Sequence, residues 1–155
     1  MGTEPSGEDR SAEDAFALAL PPEPEQVRTA RLFAAALARH FGADEERIED
    51  LKIAISEAAT NSIKAHRVAS VGEPVRILAS ADAGLLRFRV VDAGRGFDVD
   101  LPGQGAATPP GGLFEGSLGL TLIRALFPEV EIGRNRDGGM TVTISLELEP
   151  APSGS

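Results

Sequence analysis

The chain is 155 residues long, 42% hydrophobic and carries a net charge of −9, which suits one compact domain with one sizeable core and argues against general nucleic-acid binding, where a basic face must neutralise phosphates. Cysteine is absent, so disulfides, thiol chemistry and a Cys-based metal site are excluded, and His40 and His66 as the only histidines disfavour a catalytic zinc site. No apolar run approaches the roughly 20 residues that span a bilayer, and the polar, acidic N-terminus is unlike a signal peptide, so the expectation is a cytoplasmic protein with no membrane segment.

Residues 1–14, rich in Gly, Glu, Asp and Ser, and the tail 150–155 read as disordered, leaving a single domain over 15–149. Phe16 to Leu20 is a short apolar run stopped by Pro21-Pro22 and reads as a first strand. A helix is expected from about Glu25 to His40, with Val27, Leu32, Ala35 or Ala36, and Arg39 tracing its faces and Gly42 as its stop. Asp44 stands where an N-cap belongs. From it a long helix runs to about Val68, with Ile48, Leu51, Ile55 and Ala58 as its core stripe. After Gly72-Glu73-Pro74 the period changes to two: Val75, Ile77 and Ala79, then a turn at Asp82-Ala83-Gly84, then Leu86, Phe88 and Val90, which together predict a hairpin.

From Ala93 to Glu115 the composition shifts to Gly, Pro, Ala and Thr without helical or strand period. A loop this long inside a compact domain is commonly a lid, a binding loop or disorder. A helix follows from about Leu118 to Leu126, ended by Pro128. Val130 and Ile132 open another strand, and Met140 to Leu148 alternate cleanly after turn residues Asn135 to Gly139. The expected fold is α+β: a two-layer sandwich with helices on one face of a mixed, mainly antiparallel sheet, whose other face is partly wet.

Three segments carry chemistry. In Ser56-Glu57-Ala58-Ala59-Thr60-Asn61 the Glu and Asn lie one turn apart on one helix face, roughly opposite Ile55. An amide oxygen there suits Mg²⁺ shared with phosphates, and the carboxylate could take a proton from an attacking hydroxyl; the plainer alternative is a solvated stripe with Lys64. In Val91-Asp92-Ala93-Gly94-Arg95-Gly96 a carboxylate leaves the end of a strand beside two glycines, able to accept from a base amino group; the alternative is an ordinary turn. In Glu115-Gly116-Ser117-Leu118-Gly119-Leu120-Thr121 a helix entry with free N–H groups and hydroxyls would make an anion site; the alternative is a helix start capped by Ser117.

In this order the three segments resemble the N, G1 and G2 boxes of the Bergerat-fold ATPases, a group that includes gyrase, MutL and histidine kinases. Ser56 to His66, Val90 to Asp98 and Gly116 to Ile123 are most similar to the small anti-sigma factor serine/threonine-protein kinases. The chain departs from the pattern with Ser117 at the first G2 glycine, with Ala65 where His is common and His66 one place on, and with no Lys or Arg between Gly96 and Gly116. The resemblance implies ATP and Mg²⁺ as cofactors. It makes Glu57 the general base and Asn61 the metal ligand, with Asp92 on adenine and Gly94 and Gly96 lining the nucleotide. Gly119, with Ser117, Leu120 and Thr121, would wrap the phosphates. It further implies a homodimer that binds a sigma factor and phosphorylates a serine of an anti-anti-sigma protein, with no direct nucleic-acid contact. A switch kinase of a stress-signalling complex and a non-catalytic nucleotide-gated binding module are the rival readings.

Overall fold

The computed structural model describes residues 15–93, 112–136 and 138–148, and for 112–117 the backbone alone. The expected tails lie outside the described residues, as do Gly94, Arg95, Gly96 and the rest of 94–111. In chain order the elements are β1 (Phe16–Leu20), α1 (Gln26–His40), α2 (Glu45–Val68), β2 (Val75–Asp82), β3 (Leu85–Val91), α3 (Gly112–Leu126), β4 (Glu131–Arg134) and β5 (Met140–Glu147). One boundary differs materially from the sequence reading: α3 starts six residues before Leu118, so 112–115 are helical rather than loop. Gly112 and Gly116 lower the local helix propensity, which hides the first turns from a reading of period and composition. Pro109 and Pro110 stand just upstream in sequence, where a residue without an N–H is best tolerated ahead of a helix.

The sheet order is β1-β2-β3-β5-β4, and every pairing among the described residues is antiparallel. Register places whole rows of apolar residues on one face. Phe16, Ala79, Phe88 and Ile144 stand opposite one another, and Leu18, Ile77, Val90, Val142 and Ile132 form the next row. These rows meet the stripe of α2, in which Ile48, Leu51, Ile55 and Ala58 are fully buried as expected. On α1 the buried ridge is Ala30, Ala34, Ala35 and Ala38, whereas Leu32 is 54% exposed; small residues let α1 lie close against α2. Removing a large side chain such as Phe88 from this core would cost about 3–5 kcal/mol, the lost transfer energy plus the cavity left behind. The opposite face carries Arg76, Arg87, Arg89, Thr141 and Thr143, half-buried to exposed, and is the wet side.

Two local devices set the helices that hold the site. Asp44 caps α2, its Oδ2 accepting from the Glu46 N–H at 3.2 Å, with Glu45 and Glu46 in the first turn to suit the helix dipole. From that same turn Arg47 reaches α3: one guanidinium nitrogen lies 3.4 Å from the Leu126 carbonyl, and the group stacks 4.3 Å from the centroid of the Phe127 ring. The C-terminal end of α3 is thereby pinned to the N-terminal end of α2. The two helices therefore run antiparallel, with Gly119 at the middle of α3 facing the middle of α2.

Candidate active site

Glu57 and Asn61 sit half-buried on α2, one turn apart as the spacing requires. The structure brings Gly119 of α3 directly against them. A methyl group at Gly119 would stand 2.8 Å from Glu57 Oε1, 3.4 Å from Asn61 Nδ2 and 3.8 Å from Asn61 Oδ1. Only a residue without a side chain leaves both polar groups in place at that approach. The first and third sequence segments thus meet in space across more than fifty intervening residues. Leu120 is half-buried against the core and Thr121 is exposed, while the Ser117 side chain lies outside the described residues.

The expected helix entry at Gly116-Ser117 is corrected. Because α3 begins at Gly112, residues 117–121 lie inside the helix, where backbone N–H groups turn into the intrahelical ladder, and the unpaired N–H groups of the helix start belong to the turn at 112–115. Gly119 remains at the site through close packing, not through a helix terminus.

Asp92 follows the last residue of β3 and is 6% exposed. Its backbone N–H donates to the Met140 carbonyl at 2.9 Å, and its carboxylate Oδ1 accepts from the Met140 N–H at 3.1 Å. Its carbonyl oxygen accepts from Asn135 Nδ2 at 3.2 Å. Gly139 presses on the same carbonyl so closely that a methyl group there would overlap it. A carboxylate almost removed from water and held at one oxygen by a main-chain N–H is an oriented acceptor, suited to an exocyclic amino group rather than to a mobile cation.

The residue that the sequence reading missed is His66. It is fully buried on α2. Its Nε2 accepts from the Ala93 N–H at 2.9 Å, which leaves Nδ1 as the protonated nitrogen, donating to the Glu73 carbonyl at 2.8 Å. A signal was present: Ile55, Ala59, Ser62 and His66 follow spacings of four, three and four, so His66 continues the core stripe, and a buried imidazole requires partners at both nitrogens. No cluster of His, Asp and Glu able to hold a metal by itself occurs among the described residues. Nor is any helix among them long and apolar enough to cross a membrane.

Residues 20–146 match the family model of the histidine kinase-like ATPase domain. Among similar curated proteins, serine-protein kinase RsbW of Bacillus velezensis is 37% identical over 141 residues, covering 87% of this chain and 86% of that protein. Serine-protein kinase RsbW of Bacillus subtilis is 36% identical, with 87% and 86% covered, and that of Listeria monocytogenes is 37% identical over 139 residues, with 85% and 86% covered. Among solved structures, the RsbU and RsbW domains of a Mycobacterium tuberculosis protein superpose with a TM-score of 0.63 at 25% identity, over 90% of this chain and 34% of that one. The SiaB–SiaC complex of Pseudomonas aeruginosa shares the fold at a TM-score of 0.64 and 11% identity, over 91% and 94%.

Proposed function

Because this chain belongs to the histidine kinase-like ATPase domain family and, within it, to the serine-protein kinases, we propose that Asp92, Glu57 and Asn61 are the working side chains of its ATP-dependent phosphoryl transfer to a protein serine. The observation that carries the assignment is the meeting of Gly119 with Glu57 and Asn61 on α2. It sets the α3 backbone directly against a carboxylate and an amide, while Asp92 stands, oriented, at the end of β3.

In this reading Asp92 accepts a hydrogen bond from the adenine amino group, and Gly94 and Gly96 let the following backbone lie along the nucleotide. Asn61 offers a hard amide oxygen beside a carboxylate, a donor set that fits Mg²⁺, which takes few protein oxygens and shares the rest with phosphates and water. When bound, the ion neutralises charge on the phosphates. Ser117, Gly119, Leu120 and Thr121 form the phosphate side of the site. Glu57 accepts the proton of the substrate serine as its oxygen bonds to the γ-phosphorus, the β–γ bridging bond breaks and ADP leaves. The working unit is the domain over 15–149. It acts in the cytoplasm as an anti-sigma factor, a homodimer that binds a sigma factor and phosphorylates a serine of an anti-anti-sigma protein, without touching nucleic acid itself.

Transfer of label from γ-labelled ATP to a co-purified serine-bearing partner tests this reading. Glu57→Ala keeps ATP binding and loses on the order of 10²–10⁴-fold in transfer rate, the usual size of general-base assistance. Equal rates in the two proteins remove Glu57 from the base role. No transfer by the wild type to any partner leaves a nucleotide-gated binding module instead.

A further inference from the structure

Two hydrogen bonds at the end of β3 fall on one and the same peptide unit. Asn135 holds the carbonyl of Asp92 and His66 holds the N–H of Ala93, so the Asp92–Ala93 peptide plane is gripped at both its polar atoms by side chains from different elements. Each grip is itself braced. Thr141 Oγ1 donates to Asn135 Oδ1 at 2.6 Å, which fixes the amide with Nδ2 toward Asp92. Asn135 is further set by its backbone N–H bonding the Gly139 carbonyl at 2.6 Å and by the Gly138 N–H returning to its own carbonyl at 3.0 Å. His66 is set by the Glu73 carbonyl at Nδ1. None of these three side chains, Asn135, Thr141 and His66, belongs to the proposed transfer chemistry.

We propose that His66 and Asn135, with Thr141 behind Asn135, are positioning residues that orient Asp92 for base recognition and so set adenine selectivity. The inference rests on the reading of Asp92 as the base-recognising carboxylate. The ties of its N–H and Oδ1 to Met140 set φ and χ1 of Asp92, and the gripped Asp92–Ala93 plane restrains the torsion that remains, ψ, so that the carboxylate and the backbone following it keep one mutual arrangement. With the plane gripped on both sides, that rotation is closed. His66 also ties the base end of the site to α2, five residues beyond Asn61 on the phosphate end, so both ends take their placement from one rigid helix.

Titration calorimetry with ATP and with GTP, on the wild type and on Asn135→Ala, Thr141→Val, His66→Ala and His66→Gln, tests the proposal, with Asp92→Asn as the control for the functional reading. Asn135→Ala and His66→Ala each weaken ATP by about two- to tenfold, the value of one neutral hydrogen bond, and lower the preference for ATP over GTP by a similar factor. Thr141→Val falls at the lower end of that range. His66→Gln recovers most of the loss, since its amide oxygen can accept from Ala93 N–H. Asn135 and Thr141 are half-buried on the β4–β5 turn and strand, so those variants remain informative should His66→Ala fail to fold. ATP affinity and base preference unchanged in Asn135→Ala, alongside a large loss in Asp92→Asn, overturn the clamp alone. Equal weakening of ATP and GTP also overturns it, since that marks a merely structural role. A wild type that binds no adenine nucleotide, or an Asp92→Asn that binds it normally, overturns the functional reading and the clamp with it.

Discussion

The two ends of the site are built by different physics. At Asp92, backbone and side-chain hydrogen bonds from Met140, Asn135 and His66 converge on one buried residue and its following peptide, and Gly139 is jammed against its carbonyl. At Glu57 and Asn61, two half-buried side chains share a helix face and are confined chiefly by the approach of Gly119. The first arrangement is rigid before any ligand arrives, which is what discrimination between bases requires. The second leaves a flexible carboxylate free to change rotamer, which suits the proton-accepting role proposed for Glu57. In the proposed reading, rigidity lies where the base is selected and latitude where the proton is taken.

Gly139→Ala strikes the rigid end hardest. Its methyl group would overlap the Asp92 carbonyl, a backbone atom that cannot step aside without breaking the β3–β5 register. A loss of about 3 kcal/mol or more is expected in urea unfolding, at the upper end for overpacking. A stability within 1 kcal/mol of wild type, by the same measure, would show that this end is softer than its contacts imply.

Gly119→Ala probes the other end and should behave in the opposite way. The atom it meets first is the tip of the flexible Glu57 side chain. Alanine gains up to about 1 kcal/mol in helix propensity, so the melting temperature should hold or rise. The displaced carboxylate should still slow phosphoryl transfer by roughly ten- to a hundredfold, as misplacements of about 1 Å do. Transfer at the wild-type rate would mean that Gly119 does not place Glu57.

The smallest effect belongs to a residue outside both ends. Glu45, in the first turn of α2, bonds Arg39 at 2.9 Å, and this hydrogen bond to the guanidinium holds its carboxyl below the usual carboxylate value. Because the folded value is depressed, the pair's contribution is present at neutral pH and is lost as pH falls through that value. Both side chains are more than half exposed, so Glu45→Gln should shift the melting temperature least of the series, and not at all in acid. A shift that persists at low pH would point to packing rather than charge.

Much of this was legible in the residues because it is local. The alternation of Val75 to Ala79 and of Met140 to Leu148 dictates strands, since successive side chains must take opposite faces. The stripe from Ile48 to Ala58 and the cap at Asp44 dictate α2, and the four-residue spacing of Glu57 and Asn61 puts them on one face whatever surrounds them. The start of α3 was not legible: Gly112 and Gly116 weaken the local preference, so period and composition place the helix start late.

The sequence by itself thus determined the elements, the buried stripe and the pairing of Glu57 with Asn61, because periods of 2 and 3.6 act over a few residues. Tertiary structure alone decided that Gly119 lies against that pair, that Gly139 abuts Asp92, and that His66 and Asn135 grip the same peptide. These contacts join residues 27 to about 60 positions apart. No local pattern encodes them; they follow from the order in which the sheet and helices pack, and from the requirement that a buried polar group find a partner wherever the fold supplies one.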